Sequence, residues 1–131
     1  MRQASIQAMN AVGSASRNGA ALDFRQIYRL TGQVIVGAGA ATAGSLKLQY
    51  SNDPIGNGTV NVAPNGLITG VVNWTDFGTA VTVAGAAVHG ILFYTYPWAD
   101  VGFCWVRAVY TDSSGGSGLG LITVNLNVQG F

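Results

Sequence analysis

The sequence predicts an all-β domain, an antiparallel β-sandwich of jelly-roll type, preceded by a non-globular N-terminal arm. Three observations carry that expectation. First, Ile122, Val124, Leu126 and Val128 alternate with Thr123, Asn125, Asn127 and Gln129 near the C-terminus. A period of two marks a strand with one buried and one wetter face. Second, only 8% of the 131 residues are charged, glutamate is absent, and Lys47 is the sole lysine. Globular domains average about 25% charged residues. A surface covered by Thr, Asn, Gln and Gly instead lacks the residues that favour helices and keeps those that suit strands and turns. Third, Gly-, Asn- and Pro-containing turn signals recur at short spacing with no long helical pattern between them, as in sandwiches and jelly rolls. The length fits one domain, able to bury roughly two-thirds of its unfolded surface.

Taken in order, residues 1–22 form the arm or tail and residues 23–131 the sandwich. Ile6, Met9 and Val12 recur at three-residue spacing, which suits one or two short helical turns. So little apolar area holds a helix only against a docking surface. The segment therefore reads as a disordered tail or as an arm, with Ile6, Met9 and Val12 as its contacts to a neighbouring subunit. From Phe24 the pattern becomes a long strand, with Tyr28, Leu30, Val34 and Val36 on one face and Arg25, Arg29, Thr31 and Gln33 on the other. Gly32 would permit a bend or bulge within it.

The Gly/Ala-rich stretch 37–44 connects to the cleanest strand, in which Leu46, Leu48 and Tyr50 point inward and Lys47, Gln49 and Ser51 outward. Asn52-Asp53-Pro54 ends it as a turn. Residues 55–73 read as a loop or hairpin inserted between two core strands, with Asn65-Gly66 as its turn. A short strand over 74–77, another around Val81 and Val83, and an aromatic strand over 90–98 follow. The chain closes with a hairpin from Cys104 to Val128, whose arms flank a Ser/Gly loop. Its first arm is apolar on both faces, which requires cover on both sides, from a second sheet and from another subunit. Arg107 lies amid that pattern and needs a carboxylate, backbone carbonyls or an aromatic ring beside it, since a lone buried charge is costly.

Catalytic and metal chemistry find few of their parts. His89 is the only histidine, and no G-x-S-x-G turn is present, so neither a His-based metal cluster nor a serine triad is indicated. Asp23, Asp53, Asp76, Asp100 and Asp112 are the only acids and sit in turns or strand ends rather than as a catalytic pair. Gly37-Ala38-Gly39 follows a strand but is followed by Thr42 where a dinucleotide fingerprint has its third glycine. Asn52, Asp53 and Asn57 supply one carboxylate between them, too little for a calcium loop. Cys104 is alone, which excludes an intrachain disulfide, and its place in a strand suggests a buried, inert thiol. The expectation is a non-enzyme without cofactor or metal.

No apolar run is long enough to span a membrane. The six Lys and Arg residues are scattered and the net charge is +1, unlike the clustered basic patch of a nucleic-acid binder. Tyr94, Tyr96 and Trp98 form an aromatic group suited to an interface, or to stacking on sugars if it projects from a loop. Such low charge is compatible with burial in a homo-oligomer.

Several stretches in order carry a resemblance: ALDFRQIY (21–28), SLKLQYSNDP (45–54), NWTDFG (73–78), DVGFCWVRAVYT (100–111), and a final strand after a Ser/Gly loop. Together they resemble a widespread group of small β-sandwich structural proteins of tailed bacteriophages, over about residues 21–131. More distantly they are similar to discoidin-like carbohydrate-binding sandwiches. Pro54 departs from the glycine usual at that turn, and residues 55–73 enlarge the gap before Trp74. The resemblance implies a virion protein at the capsid surface, a decoration or cement protein whose partner is the major capsid protein. Its alternatives are a glycan-binding or tail-associated adhesion module and a small jelly-roll capsid protein.

Overall fold

A computed structural model describes residues 2–12, 16–36, 43–55, 60–84, 104–112 and 121–130. Every regular element among them is a β-strand: β1 (Arg2–Val12), β2 (Arg17–Asn18), β3 (Leu22–Asp23), β4 (Ile27–Val36), β5 (Ala43–Ser51), β6 (Asn61–Val62), β7 (Ile68–Thr69), β8 (Thr75–Ala84), β9 (Trp105–Asp112) and β10 (Leu121–Gly130). One sheet has the order β1-β10-β4 and the other β2-β9-β5-β8, with β3 also on β9. The paired strands are antiparallel throughout. The chain passes from the first sheet to the second after β1, returns for β4, crosses again for β5, and returns last for β10. This wraps two sheets around one core in the jelly-roll manner.

The alternation read from β5 and β10 is what the fold uses. Leu46, Leu48, Ile122, Val124 and Leu126 are fully buried between the sheets, where Leu30, Val34, Val106, Ala108 and Tyr110 meet them. Each such aliphatic side chain contributes about 1.5–3 kcal/mol by leaving water. Gly32 sits in unbroken register opposite Leu126, so the freedom it offers is not used for a bulge. The irregularity of β4 falls instead at its start, between Arg29 and Ile27.

Three expectations are corrected. The segment 104–128 is not a hairpin: β9 lies inside one sheet and β10 inside the other. Alternation shows that a strand has a buried face, not which strand lies beside it. These two strands face each other across the core instead of sharing a ladder.

The N-terminal segment is neither helical nor a free arm. Residues 2–12 form β1, paired along their length with β10, and Ala8 and Met9 are buried. Ile6 stands opposite Leu126 and Gln7 opposite Asn125, but Met9, not Ala8, is opposite Val124. This one-residue bulge at Ala8 moves the inward phase from even to odd positions. The resulting three-residue step from Ile6 to Met9 imitates a helical period.

The strands expected over 74–77 and around Val81 are one strand. Leu46 pairs with Val81 and Leu48 with Phe77, so β8 absorbs its extra residues in an irregularity rather than a turn.

The inserted hairpin exists, as β6 and β7. Ala63 O accepts from the N–H of Gly66 at 2.9 Å, the N–H of Ala63 donates to Leu67 O at 2.9 Å, and Asn65 Oδ1 accepts from the N–H of Leu67 at 3.1 Å. Gly66 has φ +86° and no described non-glycine residue has positive φ. The turn is therefore type I with Pro64 at its second position and Gly66 as the left-handed residue, not the two-residue Asn-Gly turn.

Candidate interaction surface

Ser51-Asn52-Asp53, at the end of β5, ties two distant stretches of the chain to it. Ser51 Oγ accepts from the N–H of Asp53 at 3.1 Å, and Asn52 Oδ1 accepts from the N–H of Cys104 at 3.0 Å. Asp53 Oδ2 accepts from the N–H groups of Val72 and Asn73 at 2.8 and 2.9 Å, and Oδ1 from the Asn73 amide at 2.8 Å. The Asn73 and Val72 N–H groups, then the Asn73 side chain, hold the Asp53 carboxyl below the usual carboxylate range. Its backbone oxygen accepts the indole N–H of Trp105 at 2.9 Å. These bonds make Asp53 a structural clamp between the end of β5 and the segments at 72–73 and 104–105. Among the described residues no group of three or more His, Cys, Asp or Glu could hold a metal.

The clamp seats residues 60–73 on the outer face of the second sheet. There Trp105 is fully buried with Val60 and Ile68, and Val62, Val71, Trp74 and Cys104 pack around them. The first arm's double-sided apolar pattern is thus covered at Trp105 by the chain's own insertion. Cys104 precedes β9 and is half-buried, rather than lying inside a strand.

Beside this cluster a polar row crosses three strands. Gln49 stands in register with Arg107 on β9 and with Asp76 on β8. Arg107 Nε donates to Gln49 Oε1 at 2.9 Å, Gln49 Nε2 donates to Asp76 Oδ1 at 2.8 Å, and Lys47 Nζ donates to Asp76 Oδ2 at 3.1 Å. Gln49 and Lys47 hold the Asp76 carboxyl below its ordinary range. The Arg107 guanidinium lies 4.4 Å from the centroid of the Trp74 ring, within cation–π distance. The ring demanded by Arg107 is therefore Trp74. Burial lowers the proton affinity of Arg107, though a guanidinium remains charged at any physiological pH.

The first sheet presents a different face. Gln7, Ser5 and Asn10 of β1, Thr123, Asn125 and Asn127 of β10, and Thr31 and Gln33 of β4 lie on the side away from the core. All are uncharged. A cleft of about 640 Å³ opens at the end of this sheet, with Ile6, Val128, Asp23 and Arg25 in its lining. Asp23 and Arg25 are joined to each other at 2.7 Å, and the bond from Arg25 lowers the Asp23 pKa.

Of the residues singled out from sequence, Ile6 is half-buried on the core, Met9 is buried, and Val12 pairs with Leu121. Tyr94, Tyr96 and Trp98, like His89, Asn57 and Asp100, lie outside the described residues. Asp23, Asp53 and Asp76 act as hydrogen-bond and ion-pair partners. Gln49, which bridges Arg107 and Asp76, was legible only as an outward strand residue. Its partners follow from the register of two neighbouring strands, which no local pattern encodes.

The motifs LKLQYSNDP, NWTDFG and WVRAVYT thus converge on one end of one sheet, where they build a clamp, a buried tryptophan and a stacked arginine. The chain is an all-β sandwich of the kind found in a prophage-derived protein. Its structure is similar to the crystal structure of the SPBc2 prophage-derived protein YomS, with a TM-score of 0.52 and 12% identity over 97% of this chain and 92% of that one. No family profile matches the sequence. No curated protein matches it either.

Proposed function

We propose that this chain is a bacteriophage virion structural protein, a capsid decoration or cement protein that works as a homo-oligomer on the major capsid lattice. The observation that supports the reading is the likeness of the sandwich, along nearly its whole length, to a prophage-derived protein. Residues 2–12 are spent on the chain's own sheet, so attachment runs through the outer faces and the 55–73 excursion and not through a separate arm. A rigid sandwich with a nearly charge-free face suits a role as a fixed clamp between larger subunits.

The test pairs the purified chain with empty capsids assembled from a major capsid protein encoded in the same genome. Incubated with the purified chain, they should take it up to a saturating ratio, read by cryo-EM occupancy, and should open at a higher temperature. Capsids that acquire no density and no added thermal resistance would overturn the proposal.

A further inference from the structure

We propose that Arg107, stacked on Trp74, anchors the carboxylate of an acidic side chain on a partner protein, with Ile55, Leu67 and Val72 as the apolar surround. The identity of the partner rests on the virion reading; the chemistry of the anchor does not.

A guanidinium has five N–H donors. Arg107 uses Nε on Gln49 and makes no other hydrogen bond or ion pair with protein atoms among the described residues. The carboxylate on its own cross-strand row, Asp76, is already held by Gln49 and Lys47. Among the described residues, the end of the guanidinium that carries Nη1 and Nη2 therefore has no hydrogen-bond partner. That is the edge a carboxylate takes in a bidentate pair.

The side chain is also fixed in advance. Its face rests on Trp74 at 4.4 Å and its edge on Gln49 at 2.9 Å, so binding spends little on ordering it. Arginine and tryptophan together are the side chains that dominate binding energy at protein interfaces. The surroundings fit the same use. Ile55, Leu67 and Val72 are 48, 56 and 65% exposed, the large exposed hydrophobics among the described residues. All belong to the excursion clamped over this face, and Val72 is two residues from Trp74. A half-buried cation without a counter-charge among the described residues is unfavourable alone and favourable against an acidic segment whose apolar flanks can meet the exposed side chains of the excursion.

The test uses NMR of the full chain, following the Arg107 Nε–H signal during titration with acetyl-Leu-Glu-Val-amide. Its neutral Gln twin, sodium acetate and inorganic phosphate serve as the other probes. The Glu peptide should shift that signal saturably and bind at least about tenfold more tightly than each of the other probes. Arg107→Lys, followed through the Trp74 indole N–H because it has no guanidinium signal, keeps the charge but loses the planar fork, and should weaken the Glu peptide by roughly tenfold. An unchanged Trp105 indole signal would show that the fold is intact.

Should that variant not fold, Trp74→Phe replaces it, with a several-fold loss expected. Equal binding of the neutral twin, of acetate or of phosphate overturns the proposal, as does full affinity in the variant used. Peptide binding without capsid uptake would remove the virion reading and leave the anchor. Capsid uptake without peptide binding would do the reverse.

Discussion

The apolar cluster between the sheets and the smaller one beneath the β6–β7 hairpin share strand β9 but are held by different forces. Between the sheets, Val106, Ala108 and Tyr110 meet side chains from β4, β5 and β10, each strand fixed by long ladders. Close packing is the main restraint there. On the opposite face, Trp105 is covered by β6 and β7, two residues each. So short a hairpin is marginal alone in water. Hydrogen bonds hold it, through Asp53 to Val72 and Asn73 and through Trp105 to Asp53. One strand face is thus organised by burial and the other by a polar clamp that makes burial available.

The largest effect separating the two should come from Leu126→Ala. Leu126 is fully buried in the middle of β10, and its truncation should cost about 2–5 kcal/mol in urea unfolding. Amide exchange should accelerate in both sheets, because the inter-sheet core unfolds as a unit. A loss confined to the hairpin would break the distinction.

Asp53→Asn should act on the other cluster and less strongly. The hydrogen bonds that Asp53 accepts in the fold depress its pKa. Its stabilising contribution is therefore complete above its unfolded pKa, about 3.9, and is lost as pH falls through the lower folded value. The stability gap between wild type and variant should be widest near neutral pH and close in acid. Exchange should rise over residues 60–73 while β10 stays protected. A gap that widens in acid would contradict the assignment.

The smallest effect belongs to Gly66→Ala. A Cβ there meets nothing within 4 Å, so only the φ of +86° resists it, by about 1 kcal/mol. Thermal unfolding checks this, and an unchanged midpoint would mean that the hairpin opens without cost to the rest.

The exposed-buried alternation of β5 and β10 was legible because each contributes one face to one core in unbroken phase. β1 was not, because the bulge at Ala8 shifts its phase. The clamp was visible only as a turn: Asn52 and Asp53 announce a chain reversal, while their partners Cys104, Val72 and Asn73 lie far along the chain. For Arg107, the need for an aromatic or charged neighbour followed from elementary electrostatics, and the fold chose Trp74.

By itself, then, the sequence determined that the chain is all-β and which residues of its regular strands, β5 and β10 above all, face inward. Those properties depend on side-chain chemistry within a few neighbouring residues. Only the tertiary structure decided that β9 and β10 belong to opposite sheets, that the N-terminal segment completes one of them, and that Gln49 joins Arg107 to Asp76. Strand pairing joins backbone groups that are alike at almost every residue, so the choice of neighbour is made by the packing of the whole sandwich.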